Sequence, residues 1–174
     1  VSIIPDPSTQ NLMYQNGELD IIDLEALDSS IVEATYKAQY ADKLVVSSRV
    51  GLTYFALNGN NQYLSDVNVR KALMAVDADT IVSSIYAGNA MVENGIIPKG
   101  VWGFNKDLTR SAYDPEGAKA LLADAGYADG EISFELSMDS SASSNLQLVY
   151  QVVQQNLQAI GINAGIKSYD ESSW

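Results

Sequence analysis

The sequence predicts an α/β domain, a mixed sheet with flanking helices. Strand-like and helix-like runs interleave along the whole length, residues that start and stop helices bracket the helical runs, and one long amphipathic helix separates the last two strand-like runs. Hydrophobic side chains make up 47 % and charged ones 18 % of the 174 residues, a balance that builds a core rather than a disordered chain.

Residues 1–4 are strand-like. Asp6 then caps a helix with Pro7 at its first position, and Asn16-Gly17 stops it. Residues 19–24 read as a short strand, and Ser29 or Ser30 caps a helix running to about Ala38 with Ile31, Ala34 and Ala38 on one face. Residues 44–47 and 52–58 are strand candidates joined by Arg49-Val50-Gly51; the second is apolar on both faces, so a central, two-side-covered strand is expected. A helix from about Asp66 turns Val69, Ala72, Leu73 and Val76 inward, and another runs from Asp77 to Gly88. After a coil of turn formers, Asp114-Pro115-Glu116 opens a helix with Ala118, Leu121, Leu122 and Ala125 on its buried face and Gly126 at its end. Ile132, Phe134, Leu136 and Met138 alternate with polar residues as a strand. A long helix follows, with Leu146, Val149, Val153, Leu157 and Ile160 inward, then a last strand of Ile162, Ala164 and Ile166.

Twenty-two acids against ten bases give a net charge of −12. Such a surface repels polyphosphate and anionic lipid, so no nucleic-acid partner is expected. With no Cys there is no disulfide or thiolate chemistry, and with no His there is no imidazole base or Ser-His-Asp triad. No stretch approaches the ~20 apolar residues of a membrane span, and no basic-then-apolar leader opens the chain. Both ends read as interior sequence, so an excised piece of a longer protein is expected.

Motifs of fixed spacing for phosphate cradles and nucleophile elbows are missing. Asp77-Ala78-Asp79 lacks the Gly and terminal Glu of a calcium loop, which leaves a helix start. Glu18, Asp20, Asp23, Glu25, Asp28 and Glu33 could hold a cation, although such a run ordinarily faces water. Trp102 and Phe104 could stack on a ligand or pin their loop to the core. Two carboxylates across a cleft could support glycoside hydrolysis, but twenty-two acids make a chance pairing certain.

Several stretches, taken in order, resemble the solute-binding proteins of ABC-type dipeptide and oligopeptide importers. Ile3-Ile4-Pro5-Asp6-Pro7-Ser8-Thr9 and Asn16-Gly17-Glu18-Leu19-Asp20-Ile21 resemble that family's strand-helix-strand. Tyr54-Phe55-Ala56-Leu57-Asn58, Val67-Asn68-Val69-Arg70-Lys71-Ala72-Leu73, Asp77 with Ile81-Val82, and Ile97-Pro98 through Trp102-Gly103-Phe104-Asn105 are similar to four later family segments. Tyr113-Asp114-Pro115-Glu116 with residues 118–127, and Leu157-Gln158-Ala159-Ile160-Gly161-Ile162, complete the set. Gly117 departs from the family's helix-forming residue there, which should soften the first turn.

The resemblance implies a non-enzymatic, two-lobe receptor that closes on a short peptide by a hinge and delivers it to an ABC permease in the membrane. Residues 1–174 would be a single lobe, the large C-terminal-side lobe of a periplasmic-binding-protein-like fold, lacking its companion lobe. The protein would be extracytoplasmic, periplasmic or lipid-anchored, with no cofactor. Relatives of that architecture take nickel complexes, haem or sugars; a small carboxylate-based hydrolase and a pure interaction module are the rival classes. The family's cleft residues map onto Asp139, Ser140 and Ser144 after the strand at 132–138, and onto Glu171 and Trp174 after the last strand. Asp139 and Asp170 could equally cap the helices behind them, and Arg70 is expected to be a structural ion-pair or helix residue.

Overall fold

The computed structural model describes residues 3–25, 27–47, 50–170 and 172. Asp residues start most of its helices. Asp6 accepts the Thr9 N–H at 2.7 Å and opens α1 (Pro7–Gln15). Asp66 accepts from the Asn68 N–H at 2.7 Å ahead of α3 (Val67–Ala72), and Asp114 accepts from the Gly117 N–H at 2.8 Å ahead of α5 (Pro115–Asp124). A carboxylate there satisfies donors that have no partner inside the helix.

Two helices differ from expectation. The cap of α2 (Ser29–Ile31) is Asp28 rather than Ser29 or Ser30, because its carboxylate takes both the N–H and the hydroxyl of Ser30. This helix widens into a π-helical turn over Val32–Lys37. Asp77 caps α4 (Ala78–Thr80), which also widens, over Ile81–Ile85, and ends before the expected Gly88. In both, wide turns replace a continuous α-ladder.

The C-terminal third follows the sequence closely. Strand β1 (Ile132–Asp139), helix α6 (Ser144–Ala159) and strand β2 (Ile162–Tyr169) form a β-α-β unit whose strands are parallel. Ile132 pairs with Ile162 and Asp139 with Tyr169, so both strands end together. The inward face of α6 (Val149, Val153, Leu157) packs with Ile132, Leu136, Ile162 and Ala164 and with Val69, Ala72 and Leu122 from α3 and α5. Burying each large aliphatic side chain contributes roughly 1.5–3 kcal/mol. Polar ties seat the helix: the Tyr150 hydroxyl donates to the Ser137 carbonyl at 2.8 Å and Gln154 donates to the Ala164 carbonyl at 2.6 Å.

This core draws on residues from Leu64 onward. The N-terminal helices pack on each other instead, through Tyr14, Tyr36 and Tyr40, whose ring centroids lie 5.7–5.9 Å apart. The Tyr36 hydroxyl donates to Asn11 at 2.8 Å. Long-range polar contacts join them to the rest: Asn145 to Ser29 at 3.2 Å and Lys37 to Asn89 at 3.0 Å.

Among the described residues the sheet has two strands, β1 and β2. The strands expected at residues 19–24, 44–47 and 52–58 are not paired, and neither are Ile3 and Ile4 of the first run. Alternation and β-branched composition favour extended backbone, but a strand exists only where a neighbour completes its ladder.

Candidate functional site at the strand ends

Parallel strands that end together place their following loops side by side, the position where ligands bind in open α/β sheets. At this edge the Ser140 N–H donates to the Tyr169 carbonyl at 2.8 Å, and the Ser140 hydroxyl donates to the Asp170 carboxylate at 2.9 Å. Ser140, expected to face a ligand, thus meets Asp170, which the sequence offered either as part of the ligand-facing segment after the last strand or as a helix cap. Ser140 and Asp170 are exposed and Asp139 is half-buried.

Asp139 does not cap α6. Its carboxylate accepts from the Ser141 N–H at 2.7 Å and the Ser141 hydroxyl at 2.6 Å, while Ser143 caps the helix through the Leu146 N–H at 3.3 Å. The Ser141 hydroxyl, and after it the Ser141 N–H, hold the Asp139 carboxyl below its ordinary value, so it stays ionised at neutral pH. Ser144 is the first residue of α6 and is exposed. Glu171 and Trp174 lie outside the described residues.

The edge therefore offers two carboxylates and a hydroxyl oxygen to hydrogen-bond donors or a positive charge. Ser140 faces a carboxylate rather than an imidazole. On the adjoining polar sheet face, Glu135 accepts from the Tyr169 hydroxyl and lies 3.7 Å from Lys167, whose ammonium sits 4.8 Å from the Tyr169 ring centre. Tyr169 first, then Glu135, raises the Lys167 pKa.

Two hollows lie elsewhere. One of about 280 Å³ is bounded by Leu52, Thr53, Tyr54, Phe55, Leu146 and Tyr150, and one of about 390 Å³ by residues including Ser133, Gln154, Gln158, Asn163 and Gly165. Neither includes Asp139, Ser140 or Ser144. Both are shallow and open, so the strand ends, which present ordered polar groups, make the stronger site. Phe55, which the sequence placed in a strand candidate and in a family-like stretch but not at a site, packs edge-on against Tyr150 with centroids 4.9 Å apart.

Other candidates resolve into structural roles. The Arg70 guanidinium donates to the Leu64 and Ser65 carbonyls at 2.9 and 2.8 Å, tying α3 to the turn before it. Asp79 pairs with Arg110 at 2.7 Å. In the acidic run, Asp28 caps α2, Glu33 bonds Lys37 and Asn89, and Asp23 accepts from the Glu25 N–H. Trp102 is 97 % exposed and so does not pin its loop to the core.

The family described as bacterial extracellular solute-binding proteins, family 5, middle portion, matches residues 1–174. The chain belongs to this family. The dipeptide-binding protein of Escherichia coli K12 is 30 % identical over 173 residues, covering 97 % of this chain and 32 % of that protein. Among solved structures, NikA from Brucella suis in complex with Fe(III)-EDTA superposes with a TM-score of 0.81 at 26 % identity, over 99 % of this chain and 37 % of that one. The ABC transporter-associated periplasmic binding protein DppA from Helicobacter pylori, in complex with the peptide STSA, gives 0.78 at 28 % identity, over 99 % and 33 %. This family-5 chain thus spans about a third of the length of the relatives it matches, and its fold is that of part of a periplasmic binding protein. The Escherichia coli and Helicobacter pylori relatives are named for binding. Among the described residues no helix is long and apolar enough to cross a membrane.

Proposed function

We propose that the chain is part of one lobe of an extracytoplasmic receptor for an ABC-type importer, which captures short peptides without chemical turnover. The observation that carries this reading is the Ser140 to Asp170 hydrogen bond across the ends of β1 and β2, beside an ionised Asp139. Peptide-binding relatives in the same family support the ligand class. An extended peptide offers N–H donors and an ammonium group, which such an edge accepts. Ser144, Glu171 and Trp174 are the further ligand contacts under this reading. A companion lobe closes on the bound peptide, and a membrane permease receives it.

Titrating a random mixture of short peptides into this chain, and into the longer protein that contains it, tests the reading through tryptophan fluorescence. Saturable binding by the longer protein and little or none by the 174-residue chain is the expected result. Tight binding by the chain alone, or peptide cleavage by either, contradicts it.

A further inference from the structure

Three Asn-Gly pairs lie in the chain: Asn16-Gly17, Asn58-Gly59 and Asn94-Gly95. An Asn side-chain amide is within reach of the next backbone nitrogen, and a glycine there, having no Cβ, lets that nitrogen approach most freely. The fold treats the three pairs differently. Gly17 follows the end of α1; its N–H donates to the Tyr14 carbonyl and the Asn16 N–H to the Leu12 carbonyl, both at 3.0 Å. Gly95 is half-buried, and a Cβ built on it would sit 2.8 Å from Leu108 Cδ1, so packing confines it. Asn58 and Gly59 are both exposed, and nothing lies within 4 Å of a Cβ placed on Gly59. Among the described residues the Gly59 N–H has no hydrogen-bond partner.

The Asn58 side chain is also held in place. Its Oδ1 accepts the Asn60 N–H at 3.0 Å, and its backbone carbonyl accepts the Asn61 N–H at 3.0 Å. The ring closed by the first of these bonds contains both the Asn58 Cγ and the Gly59 nitrogen. The Asn60 N–H also draws charge onto Oδ1, where the negative charge of an attack on Cγ develops. We propose that Asn58 is a self-modifying site, at which the Gly59 nitrogen displaces the Asn58 side-chain nitrogen as ammonia. The Gly59 N–H gives its proton to solvent hydroxide and the nitrogen bonds to Cγ. The Cγ–Nδ2 bond then breaks, and Nδ2 takes a proton from water as it leaves. Water opens the resulting cyclic imide at either carbonyl, giving aspartate or its isomer in which the main chain runs through Cγ. No electrons are transferred; water is consumed and ammonia released. The product adds a negative charge, and the isomer lengthens the backbone just ahead of Asn61, whose Oδ1 holds the Tyr63 and Leu64 N–H groups. This inference is independent of peptide capture.

Peptide mapping by mass spectrometry tests it, on the longer protein that contains this chain. In mildly alkaline buffer the folded protein should convert Asn58 about tenfold or more faster than Asn16 and Asn94. In urea, where the fold no longer distinguishes the three pairs, their rates should be similar. Conversion of Asn58 should yield both aspartyl and isoaspartyl peptides. Gly59→Ala should slow it about tenfold, because a Cβ crowds the attacking nitrogen. Asn60→Pro, which removes the N–H bound to Oδ1, should slow it toward the rate in urea. Conversion of Asn58 no faster than that of Asn16 in the folded protein overturns the proposal. So does folded-state conversion of Asn58 slower than in urea, or an unchanged rate in both Gly59→Ala and Asn60→Pro. The comparison of folded and urea-treated wild type stands whether or not either variant folds.

Discussion

Asp28 and Asp77 each hold a hydroxyl and a backbone N–H a few residues further on, and these bonds, the hydroxyl's first, lower both carboxyl pKa values below 3.8. A carboxyl whose folded pKa is depressed stabilises the fold fully above its unfolded value. That stability is lost as the pH falls through the folded value. Replacing both residues with Asn keeps a capping oxygen but removes the titration. The urea midpoint of Asp28→Asn/Asp77→Asn should therefore fall less than the wild type's between about pH 5 and about pH 2; an unchanged acid limb contradicts this assignment. The Asp77 cap was legible because a capping side chain reaches a donor three residues away in sequence, whereas beside Asp28 the adjacent Ser29 and Ser30 offered equally good capping residues and were chosen instead. The Asn145 to Ser29 bond spans 116 positions, and no local pattern encodes it.

In α5 a helix-breaking residue has a local use. A Cβ on Gly117 would sit 2.2 Å from Asp114 Oδ2, so the bare Cα makes room for the capping carboxylate. Ala is favoured over Gly inside a helix by about 1 kcal/mol, and losing an Asp cap costs about the same. Gly117→Ala should therefore change stability by less than about 0.5 kcal/mol in chemical denaturation; a full gain of about 1 kcal/mol would show that the cap does not depend on the glycine. The β1–α6–β2 unit was legible as a whole because a 2-residue period, a 3.6-residue period and their stop signals follow one another without overlap. The runs at 19–24, 44–47 and 52–58 had the same local signal, but no partner strand completes them among the described residues. Local pattern favours a conformation, whereas pairing depends on residues distant in sequence.

For the molecule as a whole, the ordered set of family-like stretches revealed the class, and the family's match to all 174 residues bears this out. The candidate site was legible only in part. Asp139 and Ser140 were chosen by position after a strand, but the bond that joins Ser140 to Asp170 depends on the register of two strands thirty residues apart. A net charge of −12 also gives the chain an acidic field that favours cationic groups over anionic ones. The most direct measurement is the calorimetric peptide affinity of the longer protein carrying Ser140→Ala, Asp170→Asn or, as a control at the opposite end of β1, Ser133→Ala. The strand-end account predicts that each of the first two weakens binding about tenfold or more, the worth of one hydrogen bond to a charged group, with the control at wild-type affinity and all three folded. Wild-type affinity in both Ser140→Ala and Asp170→Asn would contradict it.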